Sequence, residues 1–183
     1  RAVHMITFES DIINWAQAYD VDYFVDPYLI LSIARKESSL YSDAKSPVGA
    51  QGLMQFMPIT VKDLCERFKF CFDPYDPKES VQASKIYLKW LYHRFPKEIY
   101  EPLLFWMNDK YIHTIDDLVL AAWNWGIGNV TRWCFGKAVK NIVEVDKTGT
   151  LKKIGLREYK AMPDETKKFV STVGRYWKNY LEE

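Results

Sequence analysis

The chain is poor in the residues that most enzyme chemistries need. Its three histidines, His4, His93 and His113, are scattered, and Cys65, Cys71 and Cys134 form no C-x-x-C pair, so no metal site is expected. An odd number of cysteines gives no disulfide framework. Cys65 and Cys71 could pair across a short loop in an oxidising compartment, but buried free thiols are the favoured reading. A net charge of +1 gives no electrostatic case for nucleic acid or for an anionic membrane surface. No run of about 18 apolar residues is present, so no membrane-spanning helix is expected. There is no P-loop and no G-x-S-x-G elbow, and the glycines of G-I-G-N-V at Gly126 follow a helical pattern, the wrong context for a dinucleotide. No cofactor is expected. No signal peptide is visible, and the chain opens RAVHMITF without an initiator Met, so it reads as a mature form or an excised piece.

What is present is aromatic and helical. With 48% hydrophobic and 27% charged residues, the 183-residue chain has the balance of a globular protein and length enough for a single domain over 1–183. Aromatic residues reach 16%; most of them are accounted for by filling the core, and such side chains also stack on the apolar faces of sugar rings.

The periodicity is helical almost throughout, and the expected fold class is mainly α. Ile12, Ile13, Trp15, Ala16 and Tyr19 mark a first helix capped near Ser10. Asp26 and Pro27 open a second through Leu40, and Pro58 opens a third through about Phe68. Tyr41–Phe56 reads as a loop with two glycines. A long helix follows from about Lys78 to Arg94. The segment from Pro96 to Thr114 reads as a short helix and an irregular link, and a helix from Thr114 or Ile115 ends at Gly126. Another is expected from Gly128 to about Val139, then a small β-hairpin near 141–154, and a last helix from Pro163 to the C-terminus.

Within ARKESSLYSDAKSPVGAQGLMQFMP, Ala34 to Pro58, one carboxylate sits on the wrong face. Counting back from Glu37 by three, four and seven reaches Ala34, Ile33 and Ile30, whereas Arg35 and Lys36 lie off that stripe. Partial desolvation favours the protonated acid, which is the state a general acid needs. Glutamates at helix ends also commonly snorkel outward, so periodicity alone leaves both readings open. The loop that follows supplies Gly49 and Gly52 for close backbone approach, Ser46 and Gln55 for hydrogen bonds, and Met54 and Met57 for apolar ring faces. Together these describe a cleft for a polar ligand.

The order E-S-x(10)-G-A-x-G-L-M-Q-x-M-P, carried by Glu37 to Pro58, resembles the catalytic domain of soluble lytic transglycosylases, relatives of goose-type lysozyme. A second block of that family, usually A-Y-N-A-G-x-G-x-V, stands here as AWNWGIGNV, Ala122 to Val130, and a third as MPDETKKFV, Met162 to Val170. The three blocks span about residues 26–183. The resemblance implies a lysozyme-like α domain that cleaves the β-1,4 bond between N-acetylmuramic acid and N-acetylglucosamine in peptidoglycan, in a periplasmic or otherwise extracytoplasmic setting. It implies Glu37 as the single catalytic acid, with Ser46, Gln55, Met57, Trp123, Asn124 and Phe169 along the saccharide cleft and Glu165 in a supporting role. It also implies that the substrate replaces the second carboxylate of ordinary glycosidases, and no such carboxylate stands out; Asp43 belongs to the loop. A lysozyme-type hydrolase and a non-catalytic glycan-binding or scaffold module stay open as alternatives. Three departures bear on this: Trp123 stands for the usual tyrosine and Trp125 for the usual alanine of the second block, and Phe169 for the tyrosine of the third. The segment from Pro96 to Thr114 is longer than usual, and either covers one end of the cleft or pads the fold.

Overall fold

The computed structural model describes residues 4–19, 23–146 and 160–183, with side chains described outside 139–146. Its helices are α1 (Glu9–Ala18), α2 (Pro27–Ser38), α3 (Pro58–Phe68), α4 (Pro77–His93), α5 (Lys97–Met107), α6 (Ile115–Trp125), α7 (Ile127–Asp146) and α8 (Asp164–Glu182). Among the described residues the β structure is limited to isolated bridges, Ile6 with Tyr41, Lys45 with Gln51 and Gln51 with Phe56. The mainly α expectation holds.

Local chemistry explains the helix starts. The Asp26 carboxylate accepts the Tyr28 N–H at 2.9 Å and Pro27 fills the first turn, satisfying orphan amides of α2. Thr114 and Asp117 exchange side-chain and backbone bonds in a capping box that opens α6. At α1 the structure differs from the sequence reading: Phe8, not Ser10, holds the cap position, and Glu9 and Asp11 place negative charge at the helix N-terminus instead. The region read as a hairpin also differs. Residues 141–146 are the end of α7, and 147–154 lie outside the described residues.

The packing divides the chain into two compact units, Arg1–Trp90 with Val173–Glu183, and Leu91–Thr172. Such a division is not by itself a domain boundary, so the single domain over 1–183 stays an expectation. The core of the first unit includes Ile12 and Ala16 of α1, Leu29, Ile30, Ile33 and Ala34 of α2, and Leu53, Met54, Leu64 and Leu88, all at most 1% exposed. Each large aliphatic among them contributes about 1.5–3 kcal/mol. The buried Lys85 ammonium donates to the Ala16 and Tyr19 carbonyls at 2.6 and 2.5 Å, which closes the C-terminal end of α1 with a cation. The last turns of α8 are fastened by polar groups: Trp177 Nε1 donates to Asp26 at 3.0 Å, and Arg35 donates to the Tyr180 hydroxyl, which donates to Glu9. Burial and the bond to Glu9 push the Tyr180 phenol up to about 12, so it stays a neutral donor.

Cys65 and Cys71 form a disulfide, which corrects the free-thiol reading. The physical reason lies between them. Lys69, with a left-handed φ of 57°, stops α3 and turns the chain back within six residues, so the two sulfurs meet. Cys134 is buried and free, and burial pushes its thiol up to about 12, which leaves it inert.

In the second unit α6 buries Leu118, Val119, Leu120, Ala121 and Ala122 in succession. The link from α5 to α6 is organised by Asp109, which pairs with Lys137 and accepts the Tyr111 and Ile112 N–H groups at 2.7 and 3.1 Å. Burial opposes ionisation of Asp109, but the Lys137 bond and charge and these two amides outweigh it and hold the carboxyl below its ordinary value. A depressed folded pKa adds stability that is present above the unfolded value and lost as pH falls through the folded one. The stability advantage of the parent over Asp109→Asn, measured by urea denaturation, is therefore expected to be full at about pH 6 and to shrink toward about pH 3.

Candidate active site

Glu37 sits in the last turn of α2, half-buried, on the face that carries Ile30, Ile33 and Ala34, each at 0% exposure. The stripe therefore does what its spacing predicts, and it ends on a carboxylate. One residue later Ser38 is buried and donates to the Ala34 carbonyl at 3.1 Å. Ser39 and Leu40 then take left-handed angles, φ 53° and 68°, and end the helix. Arg35 points off the stripe, as expected, but it does not simply face water: its guanidinium lies over the Tyr176 and Tyr180 rings at 5.4 and 5.7 Å. Asp43, the next carboxylate along the chain, is exposed and engaged by the Met5 N–H at 3.1 Å and by His4 at 3.3 Å.

The loop after α2 is built largely from its own hydrogen bonds. The Ser46 hydroxyl oxygen accepts the Ala50 N–H at 2.9 Å, and Gln55 Nε2 donates to the Gly52 and Ala44 carbonyls at 2.8 and 3.2 Å. Gln51 and Phe56 exchange both backbone bonds, at 3.0 and 3.1 Å. Both residues expected to meet a ligand thus also staple the loop, leaving the Gln55 Oε1 and the Ser46 O–H outside these bonds. Gly49 and Gly52 have φ of 94° and 74°, and a Cβ at Gly52 would overlap the Pro74 carbonyl. Met57 is exposed at 37%, available to an apolar ligand face, whereas Met54 is fully buried and belongs to the core, not to a cleft.

In the second unit Trp123 and Asn124 are half-buried near the C-terminal end of α6, and Gly126, φ 89°, caps that helix. Asn124 Oδ1 accepts the Thr166 hydroxyl at 2.8 Å, so the second and third sequence blocks are joined by one hydrogen bond. Thr166 is 1% exposed, and the sequence reading passed it over. Its signal was available: a polar residue one turn into α8, on the face of Phe169, Val170 and Val173, needs an internal partner. Phe169 is 2% exposed, so its ring packs within the protein and offers a ligand almost no surface. Glu165 is exposed. Among the described residues no group of three or more His, Cys, Asp or Glu side chains is arranged to hold a metal ion, and no helix is long and apolar enough to cross a membrane.

Comparison with known proteins bears on the family and the fold. Residues 14–142 match the family model described as "Transglycosylase SLT domain". The chain is 33% identical over 106 residues, 58% of its length, to the membrane-bound lytic murein transglycosylase F of Pasteurella multocida, and covers only 18% of that relative. Its fold is shared with the 70 kDa soluble lytic transglycosylase of Escherichia coli, at a TM-score of 0.62 and 23% identity over 93% of this chain and 24% of that one. It is also shared with an inactive glutamate-to-glutamine mutant of the lytic transglycosylase Slt of Pseudomonas aeruginosa, at a TM-score of 0.59 and 23% identity over 94% of this chain and 24% of that one. The chain therefore spans less than a quarter of the length of each of these proteins.

The Thr166–Asn124 bond yields a stability test. Thr166→Val removes the donor to the half-buried Asn124 amide oxygen and is expected to cost about 1 kcal/mol in denaturant unfolding. Thr166→Ser, which keeps the hydroxyl, is expected to retain most of that stability.

Proposed function

The chain belongs to the Transglycosylase SLT domain family, and from that premise we propose that it is a peptidoglycan lytic transglycosylase. It cleaves the β-1,4 bond between N-acetylmuramic acid and N-acetylglucosamine and leaves a 1,6-anhydromuramoyl end. The observation that carries this reading is the position of Glu37, half-buried at the end of an otherwise apolar stripe and followed directly by a self-bonded glycine loop. That the inactive form of the Pseudomonas aeruginosa relative is a glutamate-to-glutamine mutant supports dependence on one acid.

The chemistry follows from having that one acid. Glu37, protonated, gives its proton to the glycosidic oxygen as the bond to the muramoyl anomeric carbon breaks. The positive charge that develops there is stabilised by the substrate's own N-acetyl group, in place of an enzyme nucleophile. Glu37, now a carboxylate, takes the proton from the muramoyl 6-hydroxyl, whose oxygen attacks the anomeric carbon and closes the anhydro ring. The acid is restored, and neither water nor a cofactor is consumed. Ser46, Gln55 and Met57 contact the glycan through the groups that the loop's own bonds leave over, and Trp123 and Asn124 are proposed as further contacts. Phe169 acts through packing, given its burial. The Cys65–Cys71 bridge supports an extracytoplasmic setting, as does the substrate.

Glu37→Gln keeps the shape and removes the proton. Release of soluble fragments from purified sacculi is expected to fall about a hundredfold or more, with the circular dichroism melt unchanged. Digestion at the parent rate would remove Glu37 from the mechanism and favour a glycan-binding module.

A further inference from the structure

A covalent circuit stands behind the loop that carries Gln55 and Met57. Met57 leads directly into α3 at Pro58, and α3 ends in the Cys65–Cys71 bridge. Beyond the bridge the chain returns to where it started: the Phe72 ring meets Phe56 at 5.3 Å edge-on, and Phe70 meets Phe72 at 5.9 Å and Tyr19 at 5.9 Å. Two residues further on, the Pro74 carbonyl occupies the space a side chain on Gly52 would need. The far end of this segment is fixed as well. Asp76 accepts the Glu79 N–H at 2.9 Å at the start of α4, the Asp73 N–H donates to Glu79 at 2.8 Å, and Ser80 donates to the Pro74 carbonyl at 2.8 Å. Phe56 also lies 6.5 Å from Tyr87, whose ring stacks on Trp90 at 5.9 Å and 15°. Residues 70–76 therefore form a brace, pinned at one end by the disulfide and at the other by α4, with Gly52 and Phe56 resting on it.

We propose that the Cys65–Cys71 disulfide is a positioning element for glycan binding: it holds the brace against the loop, so that Gln55 and Met57 are presented in one arrangement. The proposal rests on the transglycosylase reading for what the loop binds, but not for the mechanical link. Without the bridge, the segment after Lys69 is held, among the described residues, by its aromatic contacts and its anchor on α4. The loop's reciprocal Gln51–Phe56 bonds then open more often, and binding weakens. Glu37 stands on α2, outside this circuit, so the chemical step is spared.

The test compares the parent, the parent reduced by a dithiol, and Cys65→Ser/Cys71→Ser. Cys71 is exposed and Cys65 half-buried, so the reductant can reach the native bridge if the double variant fails to fold. Amide hydrogen exchange at Gln51, Gly52 and Phe56 is expected to quicken about tenfold or more on loss of the bridge, while α2 amides hold their protection. On soluble glycan strands KM is expected to rise about fivefold or more with kcat within about twofold, the signature of lost binding without lost chemistry. Unchanged exchange at those three amides in folded, bridge-free protein would overturn the proposal, and so would a fall in kcat at constant KM. A parent with its bridge intact that fails to cleave the glycan would count against the transglycosylase reading alone, and the exchange data would still decide the brace.

Discussion

Ser39 and Leu40 follow α2 with left-handed φ angles of 53° and 68°, and neither is a glycine. Each such residue costs about 1–2 kcal/mol, so the stop has to be held from outside. The Ser39 N–H reaches the Arg35 carbonyl at 3.1 Å, the Tyr41 N–H reaches the Ser38 carbonyl at 3.1 Å, and the N-terminal segment pairs with this stretch through the Thr7 N–H to the Leu40 carbonyl at 2.8 Å and the Ser42 N–H to the Met5 carbonyl at 2.9 Å. This enforced ending keeps Glu37 on a terminal turn, where an apolar stripe below it and no further helix beyond it leave the carboxyl half-buried. Had α2 run on, the same glutamate would be one more residue in a buried face, sealed or expelled.

Because these bonds hold the stop, the loop after it starts from a defined direction, and its own bonds carry that definition forward. Ser46 and Gln55 spend part of their hydrogen-bonding capacity on the loop backbone. That arrangement suits a binding element, since side chains held by the fold need less ordering when a ligand arrives. Gly52 is required twice over, by its positive φ and by the Pro74 carbonyl behind it. Glycine is the only residue that meets both demands without moving the brace.

Much of this was legible in the sequence where one residue carries its own geometric meaning. Asp26 before Pro27, and Pro58, set the helices that flank the loop, and the spacing of Ile30, Ile33, Ala34 and Glu37 put that glutamate on the apolar face of α2. What was illegible depended on partners distant in sequence or on a backbone angle. The Cys65–Cys71 pairing turns on a left-handed Lys69, which no local signal marks. Met54 was read as ligand-facing from its place in the glycine loop and Phe169 from the family resemblance, but the fold buries both. Thr166 escaped notice because its partner Asn124 lies 42 residues away. Of the hairpin expected near 141–154, residues 141–146 instead continue the long α7, as tertiary context commonly overrides short-range β pattern, and 147–154 lie outside the described residues.

In the mechanism proposed for Glu37, one carboxyl group, with the substrate's own hydroxyl as nucleophile, does the work that two carboxylates share in ordinary glycosidases. Mass analysis of the fragments this chain releases from sacculi addresses it most directly. Muropeptides ending in 1,6-anhydromuramic acid, lighter by one water than their hydrolysed counterparts, are expected. A product mixture dominated by hydrolysed reducing ends would contradict that mechanism.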